Sequence, residues 1–270
     1  MYTEYQPSHL LVPYIDSYWE FKGNPDYGMR IHILPDGCTD FIFTLGEVAN
    51  AVEEGSLIMQ PYRSYFVGPM TKYSELVTYT ESIHMFGVRF LPCGLSCFTN
   101  LPLHEFVNSR VSTNEMKAVF DDTFIEKLGE QKHVTDRIRV VEEYLLAYLA
   151  RHYQPADSHV AMAVNMINHS KGKRSVRSLM DDVCLCQRHF ERKFKHYTGF
   201  TPKEYSRIVK FKNAVELLRT TTSANLLTTA VDAGYYDLAH FSKEIKSMSG
   251  NTPASFLSLT VPEETTLTYI

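Results

Sequence analysis

FERKFKHYTGFTP, Phe190–Pro202, and FSKEIKSMSGNTP, Phe241–Pro253, are two copies of one pattern set 51 residues apart. Phe190, Phe194, Lys195, Gly199, Thr201 and Pro202 fall on Phe241, Ile245, Lys246, Gly250, Thr252 and Pro253. Coincidence at six positions under one offset marks a structural unit that occurs twice. Within each copy the aromatic or aliphatic positions recur every four residues, so they share one face of a helix. A glycine closes each helix, because it adopts the left-handed conformation without a Cβ penalty, and Thr-Pro opens the next.

The residues ahead of each copy complete a helix-turn-helix pattern. Val176 to Val183 is a short amphipathic segment broken at Cys184-Leu185-Cys186, and Leu226 to Ala233 is broken at Gly234-Tyr235-Tyr236. On the first following helix Gln187, Arg188, Glu191, Arg192 and Lys195 lie opposite Phe190 and Phe194. On the second, Leu238, Ala239, Ser242, Lys243 and Lys246 occupy the equivalent face. A charged helix face is ordinarily just a solvated one. Two basic faces in register behind matching turns instead suit double-stranded DNA, where arginine reads guanine acceptors and lysine neutralises phosphate.

Charge distribution supports that partner. The net charge of −4 conceals an uneven division: residues 156–260 hold 15 Lys plus Arg against 9 Asp plus Glu, while residues 1–155 hold 12 against 20. A basic C-terminal portion on an acidic N-terminal one fits a DNA-binding module joined to a separate domain.

Between Tyr14 and Phe98 the period changes to that of strands. Tyr18–Phe21, Arg30–Leu34, Asp40–Leu45, Ser64–Val67, Leu76–Tyr79 and His84–Phe90 are rich in aromatic and β-branched residues, and turns such as Asn24-Pro25-Asp26, Pro35-Asp36-Gly37 and Gly68-Pro69 separate them. A small barrel or sandwich is expected. After Pro102, Met116, Val119, Phe120 and Phe124 predict one helix. Ile138, Val141, Leu145, Tyr148 and Leu149 predict a second, whose stripe faces either a core or another copy of the chain. Gln154-Pro155-Ala156-Asp157-Ser158 ends it and is the expected domain boundary.

The residues Leu179–Tyr205 and Thr229–Phe256 resemble the paired helix-turn-helix domain of the AraC/XylS family of transcription regulators. The motifs that carry the likeness are Ala230 and Gly234 before the second turn, Asp237-x-x-His240-Phe241 opening the helix after it, and Lys210-Phe211-x-x-Ala214-x-x-Leu217-Leu218 between the units. The likeness covers roughly Val164–Leu259, with departures at Met180 and Cys184, where the family usually carries a small residue and glycine. It implies that the two recognition helices enter successive major-groove segments about 34 Å apart, held by a connecting helix over Lys203–Arg219. Arg188, Glu191 and Arg192 are then the base readers of the first unit, and Leu238, Ala239, Ser242 and Lys243 of the second. Tyr14-Ile15-x-x-Tyr18-Trp19, Pro35-Asp36-Gly37-Cys38, Val67-Gly68-Pro69 and Gly87-Val88-Arg89-Phe90-x-Pro92 are similar to a cupin-like sensor-type domain found ahead of this module in some members.

The expected fold is therefore α+β: residues 1–155 form a small cupin-like β-barrel with trailing helices, and residues 160–260 an all-α domain with two helix-turn-helix units. The expected partners are double-stranded DNA and, as further candidates, a small-molecule effector, RNA polymerase and a second copy in a homodimer. A barrel that binds or transforms a small molecule, with DNA binding secondary, is the alternative. No cofactor or metal is expected. Cys93 and Cys97 beside His84 and His32 read as core residues rather than ligands, as do Tyr14, Trp19, Phe21, Phe41, Phe43, Phe66, Phe86 and Phe90 rather than an effector pocket. Cys38, after its Pro-Asp-Gly turn, is weighed as a reactive thiol and set aside because no cysteine cluster surrounds it. Without a Ser/His/Asp constellation, a phosphate loop or paired carboxylates, nothing supports an enzyme. No apolar run approaches the roughly 18 residues that cross a bilayer, and Met1–Leu10 lacks a leader pattern, so a cytoplasmic location is expected.

Overall fold

The aromatic and β-branched runs of the first ninety residues form strands arranged in two open sheets. The structure, a computed structural model, describes residues 2–46, 50–51, 59–77, 82–116, 119–120, 122–183, 185–220, 226–257 and 266–269. Its strands are β1 (Tyr2–Tyr5), β2 (Ile15–Gly23), β3 (Arg30–Ile33), β4 (Thr39–Thr44), β5 (Asn50–Ala51), β6 (Ser64–Val67), β7 (Ser74–Val77), β8 (Ile83–Phe90), β9 (Arg110–Ser112) and β10 (Thr266–Tyr269). One antiparallel sheet runs β1-β2-β8-β4-β6-β9, and a smaller one runs β10-β3-β7-β5, with β10 parallel to β3. Its terminal strands β1 and β9 do not pair among the described residues, so the expected closed barrel is replaced by open sheets.

The physical reason lies in how the larger sheet is covered. Trp19, Phe21, Ile42 and Met85 on one face pack with Ile31 and Leu76 of the smaller sheet. On the other face Phe41, Phe43, Phe66, Phe86 and Phe90 pack under helices. A sheet buried on both sides needs no closure to hide its apolar residues, and its strands lose the alternation of a half-exposed sheet. β6 accordingly reads buried at all four positions. Gly87 permits a close approach: a Cβ there would lie 2.0 Å from the Trp19 indole.

The covering helices are α1 (Asp122–Gly129) and α2 (Val134–His152). The helix expected from Met116 starts later than its spacing suggested. Met116 is extended, at φ −143° and ψ 156°, after a 3-10 turn at Thr113–Glu115. Phe120 still enters the core, against Phe41 and Phe43 at 5.1 and 5.3 Å between ring centres, but from an irregular segment. The helical spacing of Met116, Val119 and Phe120 was thus a coincidence of burial. On α2, Val141 and Leu145 are fully buried in this core. The stripe offered for self-association is therefore used within the chain.

The remaining helices are α3 (Ser158–His169), α4 (Val176–Val183), α5 (Gln187–Thr198), α6 (Pro202–Thr220), α7 (Leu226–Asp232), α8 (Leu238–Ser249) and α9 (Pro253–Leu257). They share a second core built on Phe190, Phe194, Phe211, Phe241 and Ile245, which Leu34 and Cys93 enter from the β part. The metal alternative does not assemble: Cys93 and Cys97 lie in different cores, and His84 Nε2 is 2.9 Å from Glu20 Oε1. Burial pushes the Cys38 thiol well above its ordinary pKa, which opposes a nucleophilic thiolate. No described helix is long and apolar enough to cross a membrane.

Candidate nucleic-acid interface

The repeat in the sequence is a repeat of local chemistry. Phe190, Phe194, Phe241 and Ile245 are fully buried, so α5 and α8 each turn one face into the helical core and the other outward. Gly199 and Gly250 end these helices at φ +83° and +74°, and each amide donates to the carbonyl four residues back, on Lys195 and Lys246. One residue earlier, Thr198 and Ser249 donate their hydroxyls to Phe194 O and Ile245 O, both at 2.7 Å. Each hydroxyl also accepts from the amide two residues on, that of Phe200 and of Asn251. The chain then enters α6 through a capping box: Thr201 N donates to Glu204 Oε2 at 2.7 Å, and Glu204 N to Thr201 Oγ1 at 3.2 Å.

The starts of the two recognition helices differ. Asp237 caps α8 by accepting from His240 N at 2.7 Å, whereas Cys186 at the same position ahead of α5 supplies no side-chain cap. Met180 on α4 is partly buried against the helical core; Cys184, the other family departure, lies outside the described residues. The second turn is held from α6, where Lys210 Nζ donates to Gly234 O at 3.2 Å and lies 5.5 Å from the Tyr235 ring centre. Burial in that position lowers the Lys210 pKa.

All ten residues expected at the interface lie on the outward faces. Gln187, Arg188, Arg192 and Lys195 on α5 are exposed, with Glu191 half-buried, and Gln187 Nε2 donates to Glu191 Oε1 at 2.8 Å. On α8, Leu238, Ala239, Lys243 and Lys246 are exposed and Ser242 is half-buried. Arg188, Arg192, Lys195, Lys243 and Lys246 make no ion pair among the described residues. Their charges are thus free for an anionic partner.

Sequence reasoning missed the residues that hold these helices in place. Lys193 and Glu244 occupy one repeat position with opposite charge. Lys193 Nζ lies 2.6 Å from Oδ2 of Asp157, the N-cap of α3; Arg207 on α6 donates to Glu244 Oε1 and Oε2 at 2.7 and 3.0 Å. Each recognition helix is tied by an ion pair to the long helix that precedes its unit. Desolvation works against the Asp157 carboxylate, but the hydrogen bonds from Lys193 and the Val160 amide, with the charges of Lys193 and His159, together outweigh it and leave its pKa below the ordinary range. The Glu244 hydrogen bonds raise that of Arg207. The signal in the sequence was the shared offset, 193 to 244, with the charge reversed. Tyr236, 93% exposed in the second turn, also stands on this surface.

The β part touches both recognition helices at their C-terminal ends. Tyr73 N donates to Met248 O at 2.7 Å, a Cβ on Gly250 would meet the Tyr73 ring, and one on Gly199 would meet Pro69. His196 Nε2 is 3.0 Å from Asn100 Oδ1. These contacts leave the outward faces clear.

A family model described as a helix-turn-helix domain matches residues 179–258, which span both units. A second, described as a domain of unknown function, DUF6597, matches residues 3–112. No curated protein matches the chain. Among solved structures, ToxT from Vibrio cholerae is similar over 90% of this chain and 99% of that one, at 9% identity and a TM-score of 0.53. ToxT from Vibrio cholerae O395, bound to (E)-4-(8-methylnaphthalen-1-yl)but-3-enoic acid, is similar over 91% and 100%, at 9% identity and a TM-score of 0.52. A probable AraC family transcriptional regulator from Rhodopseudomonas palustris is 20% identical over 39% of this chain and 100% of that one, with a TM-score of 0.36. At such identities the ToxT likeness shows a shared fold along most of both chains.

Proposed function

We propose that this chain, a DNA-binding transcription regulator of the AraC/XylS type, reads its site with α5 and α8 lying in successive major-groove segments. The observation that carries the reading is the pair of outward faces on which Arg188, Arg192, Lys195, Lys243 and Lys246 make no ion pair among the described residues, on helices that end alike in a left-handed glycine and are each tied by an ion pair to a supporting helix. Arg188 and Arg192 read bases in the first unit, and Lys243 with Ser242 in the second. Lys195 and Lys246, a turn further along, neutralise phosphates. Leu238 and Ala239 offer apolar contact to thymine methyls. Residues 160–260 form the DNA-reading unit and residues 1–155 the controlling one.

Control is exerted by a small molecule, a reading supported by the ligand-bound relative that shares this fold. The chain carries no catalytic activity in this account and acts in the cytoplasm, where its DNA lies. A homodimer would use a surface other than the buried Val141 and Leu145 stripe, and RNA polymerase is a further partner of the DNA-bound chain. The test is selection of genomic fragments by the purified full chain. A recovered common site, bound with affinity that falls steeply with salt, is expected. Equal recovery of all fragments contradicts sequence-specific reading.

A further inference from the structure

Between the two sheets, Trp19, Phe21, Ile31, Ile42 and Met85 line a space of about 50 Å³. A larger space of about 340 Å³ opens where the β part meets α6. Its walls carry both signs of charge. Asp16 and Asp36 face it from the β part, and Lys171, Lys212, Asn213 and Glu216 from the helical part.

The polar groups here are incompletely satisfied. Lys212 makes no hydrogen bond or ion pair among the described residues, although it is partly buried. Its neighbour Asn213 is 6% exposed, and its Nδ2 amide is buried without an acceptor among the described residues. A buried donor left unpaired loses its hydration with nothing in return, so such groups in a native structure call for a partner. Asp16, opposite, accepts among the described residues only a long 3.4 Å bond from Ser17 Oγ, whereas Asp36 accepts from the Cys38 amide at 2.8 Å and lies 3.4 Å from Arg89 Nε. Burial raises the Asp16 carboxyl, while Lys212, disfavoured by burial, is held above its ordinary pKa by Cys38, Asp36 and Asp16. One wall therefore offers the Lys212 ammonium, near Glu216 and without a partner among the described residues, and the other the Asp16 carboxylate, held by one long bond.

We propose that this joint is a binding site for a small zwitterion of amino-acid size, its carboxylate on Lys212 and its ammonium on Asp16. An apolar ligand would desolvate these charges without pairing them, and a ligand of one sign would answer only one wall. The proposal rests on the effector reading above and gives it a site and a ligand class. Because α6 joins both helix-turn-helix units, a molecule bridging α6 to the β part fixes the units against the sheets, a lever on DNA affinity.

The experiment uses the full chain and, singly at millimolar concentration, each of the twenty standard amino acids as probes, with propionate and propylamine as single-charge arms. Thermal denaturation and calorimetry give binding, and fluorescence anisotropy on a selected DNA fragment gives the consequence. At least one amino acid should raise the melting temperature with saturation, and neither single-charge arm should match it. Asp16→Asn and Lys212→Met should each weaken that binding at least tenfold, and Lys212→Arg should recover part of it. DNA binding by each variant without ligand reports whether it is folded and keeps this test separate from that of DNA reading. No response to any amino acid, an equal response to propionate, or unchanged affinity in Asp16→Asn overturns the proposal, even where DNA binding is intact.

Discussion

The pair Arg207–Glu244 should behave as a clamp on the second recognition helix, and a double-mutant cycle measures it. The Glu244 side chain is 12% exposed and that of Arg207 47%, with two bonds between them at 2.7 and 3.0 Å. A fully buried pair broken on one side costs about 3–5 kcal/mol, whereas an exposed pair contributes about 0–1. With one partner buried and the other half in water, the coupling should lie between, at about 1–2 kcal/mol. The singles should differ. Arg207→Met leaves a buried carboxylate without its counter-charge and should cost about 2–3 kcal/mol, while Glu244→Gln lets the arginine rehydrate and should cost about 1–2. Urea denaturation followed by circular dichroism gives the three stabilities, and anisotropy on labelled DNA shows whether the pose of α8 is lost with them. A coupling below about 0.3 kcal/mol, indistinguishable from independent sites, refutes the clamp.

Leu145→Ala should lower stability by about 2–5 kcal/mol with no change in molar mass by light scattering, because this side chain is fully buried in the chain's own core; a folded variant of normal stability would return the stripe to an interface. Asp40, its side chain 15% exposed, has its carboxyl pushed up to about 6, chiefly by desolvation. The folded chain therefore keeps a proton that the unfolded chain has released, and stability from this group falls as pH rises from roughly 4 to 6. Denaturation midpoints at pH 4.5 and 7 should differ less in Asp40→Asn than in the parent, and an equal difference would assign the titration elsewhere.

What was legible in the sequence follows from how each feature is encoded. The helix-turn-helix pair was readable because one unit occurs twice, and the offset separates conserved packing, Phe190 on Phe241, from the solvent face. α4 begins and ends where its amphipathic pattern does, at Val176 and Val183. Six strands were visible because buried runs of Phe, Tyr, Ile and Val stand between turns. β1 was not, since Tyr2–Tyr5 is a half-exposed edge strand paired only with β2 and carries no apolar alternation. Closure of the sheet was misread because burial on both faces looks the same in a barrel and in an open sheet covered by helices. Contacts such as Tyr73 to Met248, or the mixed-charge joint at Lys212, unite residues far apart in the chain and leave no period to detect. The clamps were hidden differently: a lysine at 193 and a glutamate at 244 look like surface charge until their partners are seen.

The central claim is that α5 and α8 read DNA through their unpaired outward cations, and competition binding of Arg192→Ala and Lys243→Ala tests it most directly. Affinities of the full chain for its selected site and for a scrambled duplex are measured at several salt concentrations. Each substitution should cost roughly 1–3 kcal/mol on the selected site and little on the scrambled one, lowering the ratio of the two affinities. Lys195→Ala, measured alongside, should weaken both duplexes alike and reduce the salt slope by about one. If Arg192→Ala and Lys243→Ala both keep the parent's ratio, neither helix reads bases, and the placement of α5 and α8 in the major groove is contradicted.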